Sequence, residues 1–401
     1  MVRRLLQRYF DNFRGFSREI WILAIITFIN RAGTMVLPFL SKYLKEDLGF
    51  SYSDVGWIMV AFGCGSMLGS WLGGKLSDTL GFYKVMVFSL FTSGLIFIIL
   101  QFVTSFIGLC LGMFAIMSIA DMFRPAMFVS VGAYAKPENR TRAMTLVRLA
   151  VNLGFAAGPA MGGLIIMNFG YPALFWVDGL SCMIAIVIFA FLVKEKKKSI
   201  YQDATQPGEI LTQSVFKDSV FWIFLFSSFA TAVTFFQLFT TLPLYHAQQY
   251  KLSEFQTGLL MTLNGLLIFF LEMPVVSFFE RKKVRKIKVI GWGALLMAAS
   301  YFVLLYAPWA GILIVSILFI TVGEMFAFPF SNSWVMDRAP KGQTGRYMAL
   351  YTMSFSLAHI VSSKMGMEII GSIGYGINWM AMGILALLAA VACRIVARRT
   401  A

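Results

Sequence analysis

The chain has 401 residues, of which 59% are hydrophobic and 13% are charged, and its formal net charge is +15. This composition excludes an ordinary soluble domain, because such domains are only about 45–50% apolar and about 25% charged. Long apolar stretches joined by short polar connectors indicate a polytopic membrane protein with no room for a soluble catalytic domain.

Twelve membrane-spanning helices are predicted, since about 20 apolar residues are needed to cross a bilayer. The predicted spans cover residues 19–44, 54–76, 83–104, 107–132, 143–168, 172–193, 218–245, 254–279, 286–306, 310–335, 346–370 and 375–396. The predicted organisation is an interfacial amphipathic segment (1–18), an N-terminal six-helix bundle (19–193), a cytoplasmic linker (194–217), a C-terminal six-helix bundle (218–396) and a basic tail (397–401). The fold class is therefore an all-α membrane protein.

The basic residues alternate along the chain. Clusters of Lys and Arg occur at the N-terminus and then at every second connector, whereas the connectors between them carry little charge. Cytoplasmic loops collect Lys and Arg, so this pattern places both termini on the cytoplasmic side. The positive charge follows from topology and from contact with the lipid bilayer, and no nucleic-acid partner is expected.

The two halves of the chain repeat one another. Leu37-Pro38 recurs as Leu242-Pro243, 205 positions later (37 to 242), and Asp121-Met-Phe recurs as Glu324-Met-Phe, 203 positions later (121 to 324). A duplicated six-helix unit is typical of transporters whose two pseudo-symmetric halves enclose the substrate site near the middle of the membrane.

The connector after span two reads Gly74-Lys-Leu-Ser-Asp78-Thr-Leu-Gly81, with Lys84 shortly after it. The glycines permit a tight turn and a close approach of helices. The stretch resembles the loop signature of the major facilitator superfamily, roughly G-x-L-a-D-r-x-G-r-[RK]. The resemblance implies that Asp78 latches one conformation through a helix N-terminus or an arginine. Because Lys84 is the basic residue left in this stretch after Asp78, we expect a weaker latch than in typical members.

Span five contains Gly154-Phe-Ala-Ala-Gly158-Pro159-Ala-Met-Gly162-Gly163. Small residues four positions apart leave one face of a helix without large side chains, so that another helix can pack against its backbone. Pro159 bends the helix. The stretch matches the pattern G-x-x-x-G-P-x-x-G-G in full. Within the superfamily this pattern is characteristic of exchangers that move substrate outward.

Over essentially its whole length the chain is similar to the drug:proton antiporter branch of the superfamily, in particular to the MdtH-like multidrug-resistance and dipeptide-exporter group. The resemblance rests on both motifs, on Asp121-Met-Phe-Arg124-Pro125 in span four and on the Leu-Pro pairs of spans one and seven. It implies the major facilitator fold, with spans one, four, seven and ten around a central cavity. It also implies a monomer in the bacterial cytoplasmic (inner) membrane.

Ionisable residues at membrane depth are costly and are therefore the first candidates for function. Glu324, Asp121 and Glu272 are the candidate proton carriers, and Arg31 and Arg124 are candidate substrate contacts. Asp121 and Arg124 share a helix face, so a permanent ion pair between them is the alternative.

Two further pairings stay open. Glu324 has no cation at the position that corresponds to Arg124, which favours proton uptake, but it has Arg31 as an alternative partner. Glu272 has Lys364 as an alternative structural partner. A structural role is expected for Asp178 in span six.

The other candidate substrate contacts are Asn30 and several residues of spans seven and ten, where aromatic side chains are frequent. These residues are Phe235, Phe236, Gln237, Tyr245 and Phe328. Aromatic side chains suit an adaptable apolar pocket, although phenylalanines of membrane helices commonly contact lipid or the protein core.

The sequence therefore predicts a proton-coupled secondary transporter that exports small amphipathic compounds, short peptides among them, by alternating access. One alternative is a proton symporter that imports peptides or other nutrients, since Asn30-Arg31-Ala-Gly33 lies where peptide symporters carry a similar segment. A membrane receptor or scaffold is the other alternative. No catalytic constellation, metal cluster or phosphate loop stands out, so neither an enzyme nor a cofactor or metal site is expected.

Overall fold

A computed structural model describes residues 16–135, 140–195, 215–306, 309–340 and 344–400. Most of the predicted interfacial segment and of the linker lies outside these ranges. Within them the regular structure is helical, which confirms the predicted all-α class.

The described α-helices are numbered here in chain order. They are α1 (Arg18–Ala32), α2 (Leu37–Lys42), α3 (Tyr52–Thr79), α4 (Phe82–Leu100), α5 (Phe106–Ala120), α6 (Phe123–Tyr134), α7 (Arg140–Leu192), α8 (Ser219–Tyr250), α9 (Glu254–Arg281), α10 (Lys286–Val303), α11 (Gly311–Arg338), α12 (Thr344–Ser372) and α13 (Tyr375–Arg399). Short 3-10 helices occupy Thr34–Val36, Val215–Lys217 and Leu304–Tyr306, and a π-helix occupies Tyr43–Asp47.

Ten helical segments in the described ranges are long and apolar enough to cross a bilayer. Two features account for the difference from twelve. The segment Leu146–Leu192 contains predicted spans five and six, which meet at Gly170, where φ is 77° and the helical geometry is interrupted. α12 corresponds to span eleven but is too polar to be counted among the ten segments, and it carries Lys364 and Glu368 in its last turns.

Predicted spans one and four are each built from two helices. In span one, α1 ends at Ala32 and α2 begins at Leu37, with a 3-10 turn between them. Pro38 lies in the first turn of α2, where its missing N–H removes no helical hydrogen bond. In span four, α5 ends at Ala120 and α6 begins at Phe123.

The chain folds into two compact units. One comprises Met1–Val36 and Cys64–Tyr201, and the other comprises Leu37–Gly63 and Gln202–Ala401. In the first unit, α1 and α4 both pack on α7 around buried residues such as Leu23, Met86 and Phe189. In the second, α10 packs on α11 and α13, and α8 packs on α12 and α13. The Leu37–Gly63 segment therefore belongs to the same compact unit as the C-terminal helices.

Candidate functional site

The first unit brings three predicted site residues into one neighbourhood. Asp121 follows the last residue of α5, and its carboxylate accepts a hydrogen bond from Ser66 Oγ of α3. Arg31 of α1 is partly buried and is repelled by the charge of Arg124 and attracted by that of Asp121. Its guanidinium lies 5.7 Å from the ring centroid of Phe155. Arg31 therefore lies within electrostatic range of both Asp121 and Arg124.

The predicted alternative of a permanent Asp121–Arg124 ion pair is not formed among the described residues. Asp121 and Met122 both keep right-handed helical φ/ψ at the junction of α5 and α6, so the reason lies in the side chains and not in the backbone. Arg124 is exposed in the first turn of α6, and Asp121 keeps Ser66 as its hydrogen-bond donor. Asp121 is therefore not locked by a cation.

The glycines of span five hold α1 at close range. A Cβ atom at Gly154 would lie 2.6 Å from Arg31 Cβ, and one at Gly158 would lie 2.8 Å from the carbonyl oxygen of Ala32. Such approaches are closer than van der Waals contact, so only glycine fits at either position. Pro159, Gly162 and Gly163 are buried on the same stretch of α7. The motif thus fixes the position of the helix that carries Arg31.

Asn30 does not share the position of Arg31. Its side chain is buried, and its Nδ2 atom donates to Cys182 Sγ at 3.9 Å. This contact directs Asn30 towards the later part of α7, so it is a packing residue of the first unit.

The connector after α3 has the predicted tight turn. Gly81 has φ 93° and ψ 143°, a conformation that other residues rarely adopt, and α4 begins directly after it. Lys84 is exposed in the first turn of α4, and a Cβ atom at Gly74 would meet nothing within 4 Å. The side chain of Asp78, the predicted latch residue, lies outside the described part of the structure.

In the second unit, Glu324 of α11 is half-buried and is bound by Asn264 of α9. Asn264 Nδ2 lies 3.3 Å from Glu324 Oε2 and donates to Thr321 Oγ1 at 2.9 Å. Among the described residues no cation pairs with Glu324. Asn264 is not among the predicted site residues, although an amide in an otherwise apolar span is itself a signal for a buried polar contact.

Glu272 and Lys364 do not pair. Lys364 Nζ donates to Ser53 Oγ at 2.9 Å and to Glu368 Oε1 at 2.5 Å, and it lies 4.5 Å from the ring centroid of Trp57. The alternative structural partner predicted for Glu272 is therefore wrong, because i,i+4 geometry within α12 gives Lys364 a nearer carboxylate. Glu272 is half-buried in α9.

Three of the predicted aromatic contacts come together on α8 and α11. The ring centroids of Phe235 and Phe328 are 4.9 Å apart, and those of Phe235 and Phe236 are 5.5 Å apart. All three side chains are half-buried. Phe328 lies one helical turn after Glu324, so the acid and the aromatic group occupy one face of α11.

Gln237 and Tyr245 are placed elsewhere. Gln237 is fully buried, and its Nε2 atom donates to Ser362 Oγ at 2.9 Å. Tyr245 is packed against Tyr375 and Trp379, with ring centroids 5.0 Å away in both cases. Both side chains are committed to contacts between α8 and the last two helices, away from the half-buried phenylalanines.

Comparison with known proteins identifies the family of the fold. The sequence profile of the Major Facilitator Superfamily matches residues 23–363. An uncharacterised MFS-type transporter of Bacillus subtilis, YttB, is 26% identical over 390 residues, which cover 92% of this chain and 92% of that protein. A Na(+), Li(+), K(+)/H(+) antiporter of Planococcus maritimus is 20% identical, with 90% of this chain and 91% of that protein covered.

A drug-resistance protein is also among the relatives. The quinolone resistance protein NorA of Staphylococcus aureus is 25% identical over 317 residues, which cover 76% of this chain and 78% of that protein. Among solved structures, a POT peptide transporter in complex with sulfate has a TM-score of 0.79 at 16% identity, with 96% of each chain covered. At this identity the likeness shows the fold alone.

Proposed function

This chain belongs to the Major Facilitator Superfamily, and we propose that within this family of secondary transporters it exports small amphipathic compounds in exchange for protons. It acts as a monomer in the bacterial cytoplasmic membrane with both termini in the cytoplasm. The observation that carries the proposal is Glu324, a half-buried carboxylate beside the aromatic group of α8 and α11.

The surroundings of Glu324 suit a proton carrier. Its described hydrogen-bond donor is the neutral amide of Asn264, which can bind the carboxyl group in either protonation state. A carboxylate at membrane depth without a paired cation is costly, and this cost favours uptake of a proton. Each protonation or release therefore changes the charge next to the aromatic surface.

The aromatic group of Phe235, Phe236 and Phe328 provides the apolar side of the proposed substrate site. An amphipathic substrate buries apolar surface against these rings and competes with the proton for the polar end of the site. Export follows when substrate and proton favour different conformations, since a ligand shifts an equilibrium only by its differential affinity.

The outward direction is supported by the span-five motif and by two relatives. Gly154 and Gly158 hold α1 against α7 in the manner that the motif requires. The names of NorA and of the Planococcus protein describe drug resistance and cation/proton antiport, respectively. The competing function, proton-driven import of peptides, predicts the opposite direction of substrate movement.

The test uses inverted membrane vesicles, whose interior corresponds to the outside of the cell. Acidification of the interior should drive uptake of ethidium or of a fluorescent quinolone, and the substrate should release protons from the vesicles. Glu324→Gln should abolish this exchange, because the amide neither binds nor releases the proton. Glu195→Gln, which changes an exposed carboxylate after α7, is the matched control and should transport normally.

Two results would contradict the proposal. Accumulation of substrate in intact cells under an imposed acid-outside gradient would indicate symport. Undiminished gradient-driven exchange in Glu324→Gln would remove Glu324 from the coupling mechanism.

A further inference from the structure

Asp178 lies in the part of α7 after Gly170, directly opposite the break in span one. Its side chain is fully buried. Its Oδ2 atom accepts a hydrogen bond from the N–H of Val36 at 3.4 Å, and the N–H of Met35 also donates to the carboxyl group. Asp178 thus provides an acceptor for backbone N–H groups of the 3-10 helix that connects α1 and α2.

The second oxygen of Asp178 has a different environment. Oδ1 has no hydrogen-bond partner among the described residues. It faces the space left by the missing side chain of Gly33, where a Cβ atom would lie 2.8 Å from Asp178 Oδ1, 3.0 Å from Ser181 Oγ and 3.1 Å from the carbonyl oxygen of Ile29. Three oxygen atoms therefore lie within 3.1 Å of one point next to Gly33, and no side chain would fit there.

Charge in the neighbourhood does not balance a carboxylate at this position. Among the described residues no cation forms an ion pair with Asp178. On α7, the Cys182 thiol is an ionisable group that interacts electrostatically with Asp178. The same thiol also interacts with Arg31, the cation of α1. α4, which packs on α7 at Gly94, has no ionisable side chain after Lys84.

A negative charge on Oδ1 would be buried without a hydrogen-bond donor among the described residues, which is strongly unfavourable. A hydrogen atom on Oδ1 reverses this situation, because the hydroxyl group then becomes a donor towards Ser181 Oγ or the Ile29 carbonyl. A hard metal cation would also supply positive charge, but three oxygens are fewer than the about six ligands that such cations take.

We propose that Asp178 is a proton-binding site, separate from Glu324, that carries its proton on Oδ1 while Oδ2 receives the N–H groups at the break in span one. Loss of the proton places a charge beside Ile29 and Ser181 and changes the geometry of the break. The chain passes into the second compact unit at Leu37, directly after Val36. The site therefore lies next to the point at which the backbone leaves the first unit.

The test is infrared difference spectroscopy of the purified, reconstituted protein without substrate, between mildly acidic and mildly alkaline buffers free of alkali metal ions. The expected result is a carbonyl band of a protonated carboxylic acid that disappears at alkaline pH. The band should be lost in Asp178→Asn and retained in Glu324→Gln. Asparagine has the same shape and still accepts from Val36, so the variant should fold.

Two further measurements complete the test. Ser181→Ala removes one of the two oxygens beside Oδ1 and should shift the band without abolishing it. Hydrogen–deuterium exchange at Met35 and Val36 should be slower in the wild type than in Asp178→Asn at alkaline pH, because only the wild type acquires the charge and a carboxylate is the stronger acceptor for both N–H groups.

The proposal is overturned if wild type and Asp178→Asn give identical spectra at every pH. It is also overturned if sodium or lithium ions at constant pH produce a change that requires Asp178, which would make the ligand a metal ion. Neither result depends on transport, so failure of this proposal is distinguishable from failure of the proposed export function.

Discussion

At the residue scale, Asp218 receives hydrogen bonds from three elements at the start of α8. Arg338 donates through Nε to Oδ2 at 2.9 Å and through an η nitrogen to Oδ1 at 2.8 Å. The N–H of Phe221 donates at 3.0 Å, and the hydroxyl of Tyr347 donates at 3.2 Å. Burial by itself would raise the pKa of Asp218, but the hydrogen bonds from Arg338 and Phe221 outweigh it and hold the pKa below its ordinary value.

Asp218→Asn should therefore lower the free energy of unfolding at neutral pH, by about 1 kcal/mol after allowance for screening of a partly exposed pair. Because the pKa is lower in the folded protein, this contribution is complete above the ordinary aspartate pKa of about 4. It is lost as the pH falls through the lower folded value. Thermal unfolding of the solubilised protein across the acidic range measures the effect.

The matched control is Asp337→Asn, which removes a more exposed carboxylate that pairs with Lys286. It should have a smaller effect on thermal unfolding. A difference between wild type and Asp218→Asn that stays constant through the acidic range would contradict the role given to the ion pair.

At this scale the charged residues of the candidate site can be predicted from the sequence, but their partners cannot. Glu324 was selected because it lies at membrane depth, whereas its donor Asn264 is 60 positions away and no spacing rule connects them. Lys364 had a carboxylate one turn later, so local geometry would have predicted the correct partner. Asp218 is the first residue of predicted span seven and the N-cap of α8, and an aspartate at the start of an apolar run is the ordinary signal for such a cap.

At the element scale, hydropathy predicted where the spans lie but not where they break. Apolar periodicity does not distinguish one continuous helix from two collinear helices, since both bury the same residues. The sequence did contain local signals, namely Pro38 and Pro125 near the breaks in spans one and four. The span-five glycines were identified correctly as a packing face, and the structure adds that α1 is the helix they contact.

Gly158→Ala should lower the melting temperature by several degrees, because the added methyl group would lie 2.8 Å from the backbone oxygen of Ala32 and would force α1 away from α7. Overpacking of this kind costs about 1–3 kcal/mol. The matched control is Gly376→Ala in α13, where a Cβ atom would meet nothing within 4 Å. Equal melting temperatures for the two variants would show that α1 moves away at little cost.

At the scale of the whole molecule, the Leu37–Gly63 segment belongs to the compact unit that contains the C-terminal helices. Lys42 Nζ lies 2.6 Å from Glu254 Oε1, Ser41 Oγ donates to the carbonyl oxygen of Thr240 at 2.7 Å, and Tyr52 donates to Gln248 at 2.8 Å. These contacts join residues about 200 positions apart, so local patterns in the sequence could not predict them.

Lys42→Met should loosen the Leu37–Gly63 segment, because it leaves the mostly buried Glu254 without its nearest cation. Hydrogen–deuterium exchange over the start of α3 measures the change, and faster exchange is expected. Lys282→Met is the matched control, since Lys282 is an exposed cation after α9 in the same compact unit. Equal exchange in both variants would show that the Lys42–Glu254 pair does not anchor the segment.

The assignment of Leu37–Gly63 has a consequence for the covalent connection of the two units. The backbone passes from one unit to the other after Val36, after Gly63 and again within the linker, so three covalent connections join the two units. Proteolytic cleavage of the linker would break one of these covalent connections and leave the other two. An isolated C-terminal fragment, by contrast, would lack the Leu37–Gly63 segment. Thr240 and Glu254, which contact this segment in the complete chain, would then face solvent or detergent.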